Sequence, residues 1–87
     1  MAELYLPTTL PPLFPGLTRR QEVGASTVAE AIDELDARWP GLRDRLCEPG
    51  PTLRRHIAVY VEQERAALGT PVSERSRVDV IAAITGG

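Results

Sequence analysis

The segment from Arg77 to Thr85 constrains the fold of this chain more than any other. Its side chains alternate, with Val78, Val80, Ala82 and Ile84 on one face and Asp79, Ile81 and Ala83 on the other. A strand that is apolar on nearly both faces is covered on both, so it lies inside a sheet and not at its edge. The sequence therefore predicts a central strand close to the end of the chain.

Four earlier segments also have the character of strands. Ala2 to Thr8 and Thr18 to Gly24 flank a Pro-rich loop, which predicts an antiparallel hairpin. Leu53 to Glu62 alternates and is rich in β-branched residues, so it is expected inside the sheet. Glu62 to Arg65 is then read as a tight connection to a very short edge strand at Ala66 to Leu68.

One amphipathic helix is predicted between these strands. Thr27-Val28-Ala29-Glu30 is a capping-box pattern, in which the threonine hydroxyl accepts from the third helical amide and the glutamate reaches back to the N–H of Thr27 itself. Apolar residues then recur on one face, and the helix ends at Pro40-Gly41, with one further short turn at Leu42 to Leu46. The residues of the apolar face are Val28, Ala31, Ile32, Leu35 and Trp39.

This order of elements predicts an α+β fold. The first and last strands can lie parallel at the centre because a helix intervenes between them, and parallel neighbours need such a crossover. The arrangement is a β-grasp (ubiquitin-like) fold, with a mixed sheet of four to five strands and one main helix packed on one face. A chain of 87 residues has room for one domain, which we place at residues 1–87 with a flexible tail at 84–87.

Composition excludes several classes of function. With 43% hydrophobic residues and a net charge of −2 the chain is typical of globular proteins, and its scattered arginines give no stripe for nucleic acid. No signal peptide and no run of about 18 apolar residues is present, which predicts no membrane association. The lone Cys47 cannot form an intramolecular disulfide, which favours the reducing cytoplasm.

Catalytic constellations are missing from the sequence. A single His56 and a single Cys47 leave no triad or metal set, so the chain is not expected to be an enzyme or to bind a metal. Both residues are expected to be structural. His56 is predicted at the start of a strand, and Cys47 is predicted to be a small packed side chain.

The end of the chain is the remaining candidate for chemistry. The central strand leads directly into Ile84-Thr85-Gly86-Gly87, which would hold a carboxylate on a rigid body by a short flexible segment. Glycine lacks Cβ, so such a tail can thread a narrow channel in a partner. A carboxylate reacts poorly with nucleophiles until it is activated, for example by ATP-dependent adenylation. The alternative is a frayed terminus without function.

With these features the sequence resembles the MoaD/ThiS family of ubiquitin-like sulfur carriers over nearly its whole length, and most closely the longer, CysO-type members. The resemblance rests on Leu6 to Leu10 before the Pro-rich loop, Arg55 to Val61, Val78 to Ile81 and the diglycine. It implies that a ubiquitin-activating-like enzyme uses ATP to adenylate Gly87, that a Gly87 thiocarboxylate forms, and that an acceptor synthase receives the sulfur. The carrier itself would bind no cofactor.

Two segments depart from the family, and one of them is the tail segment Ala82 to Thr85, which lacks the proline often found before the diglycine. Where related members commonly carry Asn-Asp or Asn-Gly after the central strand, this chain has Glu62-Gln63-Glu64, which lacks the residues typical of the family's tight hairpin. The acceptor pathway stays open between cysteine synthesis, molybdopterin synthesis and a specialised metabolite.

Two other functions use the same residues differently. A protein modifier would form isopeptides through Gly87, and an interaction module would expose the apolar loop residues Leu10, Leu13, Phe14 and Leu17 instead of folding them over the core. For the carrier, we expect Ile84, Thr85 and Gly86 to thread the partner's active site, and Ile81, Ile84 and Phe14 to contact its surface.

Overall fold

The computed structural model describes residues 1–82. Within them lie a five-stranded sheet, a separate two-stranded hairpin, one long helix and one short helix. The elements are β1 (Ala2–Tyr5), β2 (Arg20–Val23), α1 (Val28–Arg38), α2 (Leu42–Leu46), β3 (Cys47–Glu48), β4 (Thr52–Leu53), β5 (Ile57–Val61), β6 (Glu64–Ala66) and β7 (Arg77–Ala82), with a 3-10 turn at Pro11–Leu13. No helix in residues 1–82 is long and apolar enough to cross a membrane.

The last strand lies at the centre of the main sheet, as predicted. The strand order is β2-β1-β7-β5-β6, with β7 parallel to β1 and antiparallel to β5. Glu3 is opposite Arg77 on one side, and Ile57 is opposite Ala82 on the other. The end of β1, the end of β7 and the start of β5 therefore meet at one edge of the sheet, and the α+β β-grasp layout is confirmed.

The core lies between α1 and one face of the sheet. The helix buries Val28, Ala31, Ile32 and Leu35, which is the face that its apolar spacing predicts. The sheet contributes Leu4, Val59, Val78 and Val80, each at most 3% exposed. At about 25 cal/mol per Å² of apolar surface removed from water, these contacts supply most of the free energy that holds the helix on the sheet.

The start of α1 differs in one bond from the predicted capping box. Thr27 Oγ1 accepts from the Glu30 N–H at 3.1 Å, but Glu30 Oε1 accepts from the N–H of Ser26 at 3.2 Å and not from that of Thr27. A β-bridge between Thr27 and Pro71 also fixes the chain before the helix. Val72 N–H donates to the Ser26 carbonyl at 2.8 Å in the same bridge.

Several predicted strand bounds were wrong. The strand placed at Leu53 to Glu62 is two strands, because Leu53 pairs with Cys47 in the hairpin and the chain turns before Ile57, whose N–H donates to the Arg54 carbonyl at 2.9 Å. His56 therefore lies in a turn and not in a strand. The first two strands are shorter than predicted. The first ends at Tyr5 and not at Thr8, and the second begins at Arg20 and not at Thr18. Of the predicted strand Arg77 to Thr85, Ala83 to Thr85 lie outside the described residues.

The tight connection predicted after β5 is confirmed, although Glu62 and Gln63 are not the residues typical of the family's hairpin. Val61 pairs with Glu64, so the turn has only two residues, and Glu62 (φ 51°) and Gln63 (φ 69°) both adopt the left-handed conformation that such turns require. The edge strand is consequently Glu64–Ala66 and not Ala66 to Leu68. Glu62 is held in place by Arg77, whose N–H donates to the Glu62 carboxylate at 2.9 Å and whose carbonyl accepts from the Glu62 N–H at 3.0 Å.

Candidate functional site at the end of the central strand

The candidate site begins where β7 ends. Ala82 is the last described residue and is opposite Ile57 of β5, while Gly87, Gly86, Thr85 and Ile84 lie outside the described part of the chain. Residues 83–87 could span at most about 17 Å if fully extended. Because Val78 and Val80 are buried and β7 is hydrogen-bonded on both sides, the tail starts from a rigid base.

The two proposed contact residues lie at different places around this base. Ile81 is 49% exposed and lies opposite Ala58 on the face of the sheet away from α1. It is therefore accessible, as a partner contact requires. Phe14 is half-buried and packs against the core, and a Cβ at Gly41 would lie 3.8 Å from its ring.

The Pro-rich loop folds over the core in large part. Leu10 and Leu17 are buried, and the Trp39 indole N–H donates to the Pro15 carbonyl at 3.1 Å, which ties the loop to the end of α1. Leu13 is 50% exposed. The loop thus offers one accessible leucine, not a broad apolar patch.

A shallow groove connects this loop with the base of the tail. Its lining includes Ile57 and Ala82 of the sheet, Leu10 and Leu13 of the loop, and also Arg45 and His56. Arg45 belongs to α2, and nothing in the sequence around it indicates that it lies beside the tail. Sequence reasoning missed it because only the tertiary fold brings α2 to this end of the sheet.

Cys47 and His56 differ in their surroundings. Cys47 is 7% exposed, and burial raises the pKa of its thiol, so little reactive thiolate is present near neutral pH. His56 is exposed. Within residues 1–82, no group of three or more His, Cys, Asp and Glu side chains could hold a metal ion.

The open face of the sheet next to Ile81 is charged. Arg20 and Glu3 form an ion pair at 2.7 Å, and this hydrogen bond to the guanidinium lowers the pKa of the Glu3 carboxyl. The Arg77 guanidinium lies over the Tyr5 ring at 4.3 Å and beside Asp79 at 3.2 Å. Ile81 is thus an apolar residue at the border of an internally paired polar surface.

Comparison with known proteins places this architecture in a defined class. The chain superposes on a chain of the Amycolatopsis orientalis BexX/CysO complex with a TM-score of 0.88, 28% identity and full coverage of both chains. It also superposes on SAMP1 from Haloferax volcanii with a TM-score of 0.76, 30% identity, and coverage of 99% and 98%. By fold it is a ubiquitin-like β-grasp protein.

The sequence comparisons narrow the class to a family. The ThiS family model matches residues 13–87. The sulfur carrier protein CysO of Mycobacterium tuberculosis is 30% identical over 90 residues, which cover 94% of each chain. The chain therefore belongs to the ThiS family, the class of sulfur carriers that includes the CysO proteins. Members of this type are small carriers and not catalysts.

Proposed function

We propose that this protein carries sulfur as a thiocarboxylate on Gly87. A ubiquitin-activating-like enzyme would bind ATP, and a Gly87 carboxylate oxygen would attack the α-phosphorus to release pyrophosphate. A sulfur donor at the oxidation level of sulfide would then attack the acyl carbon, and AMP would leave with the carboxylate oxygen. Atoms balance, because one oxygen of the carboxylate is replaced by sulfur.

The observation that carries the proposal is the position of the diglycine. Three residues separate it from Ala82 at the end of β7, and the ThiS family match extends through Gly87. Ile84, Thr85 and Gly86 would thread the channel of the enzyme, with Ile81 and Phe14 as contacts on the surrounding surface. Glycine at the end of the tail removes the Cβ that would obstruct a narrow channel.

The sulfur acceptor would be a biosynthetic synthase. The relative in the BexX/CysO complex supports an assembly of carrier and partner enzyme, and the relatives named CysO support cysteine synthesis as one acceptor pathway. Molybdopterin synthesis and the synthesis of a specialised metabolite are the other two candidate pathways.

The test is a reconstitution with the ubiquitin-activating-like enzyme of the same organism, ATP and sulfide. We expect release of pyrophosphate and an intact mass in which one sulfur replaces one oxygen. A chain lacking Gly87 is the control, and it should show neither. An unchanged mass with an enzyme that does release pyrophosphate would contradict the sulfur chemistry, and no pyrophosphate would contradict activation.

A second candidate is a protein modifier, which the 30% identity to SAMP1 favours because that protein is a small archaeal modifier protein. Activation at Gly87 would be the same, but a lysine amine would attack the acyl carbon in place of sulfide. Digests of cellular protein would then contain lysines with a Gly-Gly remnant. An interaction module would instead keep full biological activity after truncation behind Thr85.

A further inference from the structure

A cluster of basic side chains lies beside the base of the tail. We define the basic rim as Arg45 of α2 together with Arg54, Arg55 and His56 in the turn between β4 and β5. Arg45 and His56 line both the groove next to Ala82 and a neighbouring cleft that includes Arg54 and Phe14. Helix α2 and the turn after the β3–β4 hairpin thus line the same groove and cleft, and Arg55 lies in that turn between Arg54 and His56.

Most of this charge is available to a partner. Arg45, Arg55 and His56 are exposed, and no carboxylate within residues 1–82 lies within 4 Å of the Arg45 or Arg55 guanidinium. Arg54 is more constrained, because its Nε–H donates to the Asp44 carbonyl at 2.7 Å and its guanidinium lies 3.9 Å from Glu48. Asp44 is also in the lining of the cleft.

The charge of this region is opposite to that of the whole chain. Residues 40–61 contain four arginines and two carboxylates, which gives a net charge of +2 in a chain with a net charge of −2. The excess of carboxylates is therefore elsewhere in the sequence. Such an uneven distribution orients a protein as it approaches a charged partner.

The position of the rim limits what it can touch. Ile57 is opposite Ala82, so His56 lies at the level where the tail leaves the sheet. The tail reaches at most about 17 Å beyond this level. When Gly87 is at the bottom of a channel, the rim is at its mouth. It would meet the protein surface around the channel and not the nucleotide inside.

We propose that the basic rim, with the exposed Leu13 beside it, docks on an acidic protein surface around the mouth of the channel in the activating enzyme. This inference rests on the proposed function, because it assumes that Gly87 enters such a channel. The rim would align the tail before chemistry, and it would act on the affinity for the carrier and not on the reaction of bound carrier.

The test compares two double variants of equal charge change. R45E/R55E reverses two rim charges whose guanidinium groups form no ion pair within residues 1–82. R65E/R75E reverses two exposed arginines on β6 and on the loop before β7, away from the tail. Initial rates of pyrophosphate release with the activating enzyme give KM and kcat for each carrier, and circular dichroism checks that both variants fold.

We expect R45E/R55E to raise KM by at least about tenfold with kcat within about twofold of the unsubstituted carrier, because rim charges act on association. R65E/R75E should stay within about twofold in both. Raising the salt concentration should raise the KM of the unsubstituted carrier but change the KM of R45E/R55E little. Equal KM values for the two folded variants would overturn the docking proposal while leaving activation intact, whereas an unsubstituted carrier that releases no pyrophosphate would overturn the proposed function itself.

Discussion

At the scale of single residues, Cys47 combines a nucleophilic atom with a protected position. It is the single cysteine of the chain, and it is 7% exposed at the end of α2. Burial raises the pKa of the thiol because a thiolate is poorly solvated there. Sulfur chemistry at the tail would therefore proceed without competition from a reactive thiol on the carrier body.

We expect Cys47 of the folded protein to react with a thiol reagent such as DTNB at least about 100-fold more slowly than in urea at the same pH, because both accessibility and thiolate content fall on folding. The folded state favours the protonated thiol. The contribution of Cys47 to the free energy of unfolding is therefore fully present below the ordinary cysteine pKa, and it declines as pH rises above that value. Stopped-flow absorbance at several pH values measures the rates. Equal rates in folded and unfolded protein would contradict the buried position.

At the scale of elements, the turn between β5 and β6 is unusual in its residue types. Glu62 and Gln63 occupy two left-handed positions that glycine and asparagine normally fill. The backbone strain at Glu62 is offset by its two hydrogen bonds to the backbone of Arg77. The Gln63 side chain has no hydrogen bond within residues 1–82, so this position carries uncompensated backbone strain.

Gln63→Gly is expected to stabilise the protein by about 0.5 to 1 kcal/mol, because glycine removes the strain of a side chain at positive φ. The free energy of unfolding in urea measures the effect. Arg65→Gly, in the extended strand β6, is the matched control and should destabilise. The turn geometry would be contradicted if Gln63→Gly lowered stability as much as Arg65→Gly does.

The elements also show what the sequence can and cannot predict. The face of α1 and the central position of β7 were predictable, because their apolar periods are local. The split between β4 and β5 was not, since the alternation continues through Leu53 and only the pairing with Cys47 assigns it to a hairpin. The tail was recognisable as a candidate site from sequence, whereas Arg45 reaches that site through tertiary packing.

At the scale of the whole molecule, the core and the tail are separate parts. The core residues lie between α1 and the sheet, and β7 contributes Val78 and Val80 before the tail begins. Removal of Gly86 and Gly87 would take no described core contact away. Folding and carrier function should therefore respond to different substitutions.

Truncation behind Thr85 is expected to leave the free energy of unfolding unchanged within about 0.5 kcal/mol while it abolishes pyrophosphate release. Leu35→Ala, at a fully buried position of α1, should cost about 2 to 5 kcal/mol, yet the fraction that stays folded should be activated at the normal rate. Urea unfolding and pyrophosphate assays on the same samples test both. A truncated chain with a strongly lowered stability would show that the tail is part of the fold.

The most direct test of the central claim locates the sulfur in the protein as the cell makes it. Arg77 is the last arginine, so cleavage after arginine releases Val78 to Gly87 as one peptide. We expect this peptide to contain one sulfur in place of one oxygen, and we expect fragmentation to place the sulfur on Gly87. In cells that lack the acceptor synthase, where the sulfur is not consumed, a peptide that contains only the ordinary carboxylate, or that is joined to lysine through Gly87, would contradict the carrier proposal.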